Sequence, residues 1–202
     1  MNRILPRLLI ASIALLLAAC ASHKSESTTL FDLGPAAPRS ATIDAPMSAV
    51  VVSEATGSAA LESERMFYRL NYADAMQARA YANSRWSTNP LEMVTQRVKT
   101  RLAQTGVKVL QPTDSPTGVP ILRVEVADFT HAFDSASQSR GQVIVRASLF
   151  RDHVLLDQQT FSRSTPAPSA NASGGANALA ASTDAVADDI AAWLARVNHT
   201  TR

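Results

Sequence analysis

Four histidines and one cysteine are the side chains best suited to metal ligation or covalent chemistry in these 202 residues. The histidines are scattered at His23, His131, His153 and His199. A zinc centre needs three or four ligands, often with two at His-x-x-x-His or Glu-x-x-His spacing, and the chain contains neither pattern. No Gly-x-Ser-x-Gly elbow offers an activated serine. Gly174-Gly175 lacks the flanking Lys-Ser/Thr of a phosphate cradle. His131 shares a strand phase with Phe129 and Phe133, which predicts a half-buried structural histidine rather than a catalytic one. The expectation is therefore no catalytic set, no metal site, no cofactor and no enzyme. Cys20 is left as the one position where chemistry is expected.

Cys20 ends a segment that begins with Arg3 and Arg7 and continues as the apolar run 8–19. A bilayer-spanning helix needs roughly 20 apolar residues, so this run is short for a membrane span and fits a signal peptide. Its last residues, Leu17-Ala18-Ala19-Cys20, resemble the lipobox of bacterial lipoproteins. The resemblance implies cleavage before Cys20, a diacylglyceryl and acyl lipid on its sulfur and amine, and attachment of the mature chain to a membrane. The plain alternative is an unmodified buried thiol. Ala21 stands where an Asp commonly retains such lipoproteins at the inner membrane, so the analogy favours the periplasmic face of the outer membrane over the inner one.

Cleavage changes the charge balance. Residues 1–19 carry two arginines and no acid, leaving 17 basic against 17 acidic residues. Nothing then recommends nucleic acid as a partner. With a single cysteine there is no intramolecular disulfide, and stability must come from a packed core.

The elements that would position any site follow from periodicity. Residues 1–19 read as signal peptide, 20–29 as lipidated cysteine and polar tether, and 30–199 as one domain. Strands are predicted at 50–52, at 65–70 by alternation, more weakly at 77–81, and at 107–110. Asn89-Pro90-Leu91-Glu92 supplies an N-cap, a first-turn proline and a capping glutamate for a helix. Its apolar stripe is Leu91, Val94, Val98 and Leu102, with Arg97 and Arg101 expected on the solvated side and Gly106 as stop signal. A meander follows. Its first strand carries Leu122, Val124 and Val126, then shifts phase to Phe129 and Phe133, which predicts a bulge near Ala127-Asp128. Residues 142–150 and 154–161 pair around a turn at Asp152-His153. Residues 164–175, rich in Pro, Ser, Ala and Gly, read as an exposed loop. A last helix over 177–198 carries Leu179, Val186, Ile190, Trp193, Leu194 and Val197 on one stripe. The fold class is α+β: an antiparallel β-sheet with two main helices packed on one face.

Phe31-Asp32-Leu33-Gly34-Pro35, then Arg65-Met66-Phe67-Tyr68-Arg69-Leu70, then Tyr81 through Trp86 to Asn89-Pro90, stand in this order behind Cys20. With Asp128-Phe129 and a tryptophan in the last helix, the pattern resembles the ABC-type transport auxiliary lipoproteins, which accompany mammalian-cell-entry (MCE) type lipid transport systems. The resemblance implies a periplasmic accessory protein that docks and positions rather than catalyses, with MCE-domain and ABC transporter subunits as partners. Phospholipid or another hydrophobic compound would be the cargo, and self-association fits the family. Tyr68, Tyr81, Arg85 and Trp86 are candidate contacts for a partner or lipid, since clustered aromatics and arginine are enriched at interface hot spots. Against that, Tyr68 and Trp86 also suit a core closing over the sheet, with the Arg85 stem covering it. An accessory lipoprotein of outer-membrane assembly or lipopolysaccharide export is the alternative.

Overall fold

The computed structural model describes residues 27–36, 47–114 and 117–200. Cys20, the signal segment and most of the tether lie outside the described residues. The chain runs β1 (Thr29–Phe31), β2 (Ala49–Val52), β3 (Thr56–Gly57), β4 (Arg65–Leu70), β5 (Asp74–Trp86), α1 (Pro90–Ala103), β6 (Lys108–Leu110), β7 (Ile121–Phe133), β8 (Ser139–Arg151), β9 (Val154–Pro166) and α2 (Ala172–Thr200).

Strand β7 is the spine of one nine-stranded sheet. One side of β7 pairs along its length with antiparallel β8, which pairs in turn with antiparallel β9. The other side is occupied in succession by β2, β3 and β4, all parallel to it. Beyond them lie β6 on β2, β5 antiparallel on β4, and β1 parallel on the end of β5. The α+β class and the meander are as expected. The first half of the sheet pairs mostly in parallel, so the sheet is mixed.

Local chemistry explains the long strands. Val126 pairs with Val145 and Asp128 with Ile144, so Ala127 is the bulged residue. The bulge rotates Phe129, His131 and Phe133 onto the helix-covered face that Leu122, Val124 and Val126 occupy before it. Between β8 and β9, Asp152 and His153 both take positive φ (48° and 67°). This is the type I′ geometry whose twist matches the flanking strands.

Both helices lie over one face of the sheet. Asn89 caps α1, its side-chain oxygen accepting from Glu92 N at 3.0 Å, and Gly106 reverses the chain at φ 87°. Helix α2 lays Leu179, Val186, Ile190, Trp193 and Leu194, each about 1% exposed or less, onto Val143, Val145, Ala147 and Leu149 of β8. Burying each large apolar side chain contributes about 1.5–3 kcal/mol. No described helix is long and apolar enough to cross a membrane.

Of the stretch 164–175, only residues 167–171 form the expected loop. β9 runs on to Pro166 and α2 begins at Ala172, capped by Asn171, whose Oδ1 accepts from Gly174 N at 2.9 Å. The small residues serve close packing. A Cβ on Gly175 would come within 2.3 Å of His131 Nδ1, and one on Gly141 of β8 within 2.4 Å of Leu179 N.

Candidate functional site

The segment that leads in from the tether is clasped to the body of the domain. β1 pairs with β5 through Leu30 opposite Arg85, and Phe31 O accepts from Ser87 N at 2.7 Å. Asp32 then closes a turn, its Oδ1 accepting from the backbone N of Gly34 (φ 61°) at 2.6 Å. Arg97 reaches this turn from α1. Its Nη2 donates to Leu33 O at 2.6 Å and Gly34 O at 2.7 Å, while Nη1 donates to Asp184 Oδ1 of α2 at 2.5 Å. One turn along, Arg101 Nη2 donates to Asp188 Oδ2 at 3.1 Å.

This corrects the expectation of a solvated arginine face, since Arg97 and Arg101 are only 5% and 4% exposed. Two arginines four residues apart on α1 meet two aspartates four residues apart on α2. The planar guanidinium of Arg97 can serve the carboxylate and two carbonyls together, which a lysine ammonium could not do in the same geometry. A buried charge of this kind is tolerated only because its partners are in place.

A second cluster lies on the same face of the sheet, where β4, β5 and β7 meet the first turn of α2. Tyr68 packs its ring 4.6 Å from Tyr81 and 5.7 Å from Phe133, and the His131 ring lies 4.5 Å from Phe133. Tyr81 Oη and His131 Nδ1 are hydrogen-bonded at 2.8 Å. His131 is fully buried, and its Nε2 has no hydrogen-bond partner among the described residues. Burial lowers its pKa to about 4, so it stays neutral at physiological pH. Burial, and then the neighbouring Tyr68, push the Tyr81 phenol upward, so it stays protonated.

The four candidate contact residues therefore separate. Tyr68 and Tyr81 are half-buried in the histidine cluster. Trp86, 1% exposed, packs edge-on against Phe129 in the core between sheet and helices. Arg85 is exposed on β5. Sequence reasoning missed the Arg97 clasp and the Tyr81–His131 bond. The signal for the first was the matched four-residue spacing of Arg97/Arg101 and Asp184/Asp188.

The clasped segment has a groove on either side. One of about 260 Å³ is lined by Asp32, Met93, Gln96 and Arg97, and one of about 370 Å³ by Leu30, Phe31, Ser173 and Asn177. Among the described residues, no group of three or more His, Cys, Asp or Glu side chains converges as a metal site. The arrangement can hold a segment and two helices in register, and its histidine is in no state to accept a proton near pH 7.

A family model described as the ABC-type transport auxiliary lipoprotein component matches residues 31–191. No curated protein matches. Among solved structures, a protein from Xanthomonas campestris superposes with a TM-score of 0.66 at 14% identity, covering 88% of this chain and 91% of that one. An uncharacterised protein gives 0.63 at 15% identity, covering 83% of this chain and 99% of that one. At such identities the likeness establishes a shared fold.

Proposed function

Since the chain belongs to the ABC-type transport auxiliary lipoprotein component family, we propose that it serves an MCE-type system carrying phospholipid or another hydrophobic compound across the periplasm. Its role is to dock and position, not to catalyse, and it needs no cofactor beyond the lipid on Cys20. That lipid holds it at the periplasmic face of the outer membrane, where a protein surface receives the MCE component reaching from the inner membrane. Self-association belongs to the same reading.

The observation that carries this is the clasp on the incoming segment. β1 ties the chain to the domain only nine residues after Cys20, and the Arg97 bonds to Leu33 and Gly34 hold it just beyond. A flexible tether of that length spans roughly 17 Å, so a lipid on Cys20 would keep the domain against the bilayer surface. Two acyl chains make that attachment firm, whereas one would be marginal.

The test is crosslinking in cells followed by affinity purification of the chain. Recovery of MCE-domain and ABC subunits is expected. Recovery of a β-barrel assembly or lipopolysaccharide-export complex in their place would reject the reading.

A further inference from the structure

The hairpin joining β4 and β5 carries an exposed apolar tip with no partner among the described residues. Met76 is 90% exposed and Tyr72 is 52% exposed, with Ala73 and Ala75 beside them. The tip is well ordered by its own bonds. Ala73 N donates to Leu70 O at 2.9 Å, Asn71 N to Phe133 O at 2.9 Å, and Met76 N to Asp74 Oδ1 at 2.9 Å. Arg69 donates from beneath to Ala75 O at 3.3 Å. Arg69 and Arg79 stand against a single acid, Asp74, while Asp134 on the adjoining β7–β8 turn is paired with Arg140.

The path of the chain says what this tip meets. β1 is parallel to β5, so the residues before Thr29 arrive from the pole of the sheet where β5 begins, which is the pole of the tip. Leu30, Arg85 and Arg65 form one row across β1, β5 and β4, and Leu70 lies five residues further along β4. At about 3.4 Å per residue the tip stands some 17 Å beyond that row. The nine residues from Cys20 to Thr29 span roughly 17 Å as a flexible chain and about 30 Å at full stretch. A lipid on Cys20 would therefore be within reach of the level of the tip, on the side from which β1 is entered.

We propose that Tyr72 and Met76, at the β4–β5 tip, insert into the lipid surface to which Cys20 leads. This rests on the anchoring read above. A tyrosine with an apolar body and a polar hydroxyl, a methionine in the same tip, and Arg69 and Arg79 three residues behind them on the two strands suit the headgroup boundary. The lipid tether alone leaves the domain free to swivel. A second contact at the tip sets which face looks toward the periplasm.

The test uses the full lipidated protein on vesicles of phosphatidylethanolamine and phosphatidylglycerol. Cys20 is the only native cysteine and its sulfur is blocked by lipid, so an introduced cysteine is the sole labelling site. An environment-sensitive fluorophore is placed by Met76→Cys, by Ala73→Cys, or by Val154→Cys at the opposite pole, where Val154 is 63% exposed. Nitroxide lipids are expected to quench the two tip probes several-fold more than the probe at 154. Equal, weak quenching at all three positions in protein that floats with the vesicles overturns the proposal and leaves the anchoring intact. Shielding of the tip from both nitroxide lipid and aqueous iodide also overturns it, since protein then covers the tip. Failure of the full chain to float overturns the anchoring and this inference together.

Discussion

His131 is the residue whose chemistry the fold alters most. Its pKa falls from 6.5 to about 4 because burial excludes the charged form. Between those values the unfolded chain binds a proton that the folded chain refuses, so stability falls as pH drops from 6.5 and levels off below 4. The loss by pH 5 is about 2 kcal/mol. Denaturant unfolding at pH 7 and pH 5 measures it, and His131→Gln is expected to remove that share of the difference. At Gly141 the argument is steric. An added methyl would meet the backbone of Ala178 and Leu179, which cannot swing aside. Gly141→Ala should cost about 1–3 kcal/mol and push α2 off β8, visible as a lowered unfolding midpoint. The strand phase of His131 was legible from Phe129 and Phe133. Its bond to Tyr81 was not, because the partner sits 50 residues away across two strands.

Among the elements, α1 was readable to the residue at its start because capping is local: Asn89, Pro90 and Glu92 are neighbours in the chain. The bulge at Ala127 was readable because a phase shift in apolar residues is itself a local pattern. β5 was read only as 77–81, since most of its 13 residues are exposed and show no alternation. The stretch 164–175 was read too broadly as loop: residues 167–171 form one, but its ends join β9 and α2, and composition alone does not separate loops from tight packing. The parallel pairing of β2, β3 and β4 on β7 leaves no local trace at all. Arg97 was misplaced for a similar reason: Asp184 is 87 residues away, and an arginine beside an apolar stripe ordinarily looks outward. Removing Arg97 leaves the Asp184 carboxylate only its 3.5 Å contact with Arg101 Nε and takes the donor from two carbonyls. Arg97→Met is expected to cost about 3 kcal/mol or more by denaturant unfolding, with hydrogen exchange in Thr29–Phe31 rising ahead of the rest of the sheet. Arg97→Met with Asp184→Leu should recover part of that loss, since the uncompensated charge is gone.

At the scale of the whole molecule, anchoring and folding are separate properties. Among the described residues the core cluster runs from Leu33 to Val197. Cys20→Ala is therefore expected to move the protein from the membrane to the soluble fraction and to abolish labelled palmitate incorporation, with the unfolding midpoint unchanged within about 0.5 kcal/mol. A protein that remains on membranes without palmitate would sink the anchoring. The α+β class, the two helices and the meander were all legible before any coordinates, since each rests on periodicity within one segment. The arrangement around β7 was not, because it depends on which distant segments choose to lie side by side.

The Arg97 clasp also decides how the protein would carry a load. A pull on a lipid at Cys20 would enter at Thr29, where a three-residue strand and two guanidinium bonds tie the segment to the domain. Those few bonds work as a fuse. Under tension the β1 residues would peel away first and lengthen the leash, until the load reached Leu33, which is itself seated in the core cluster.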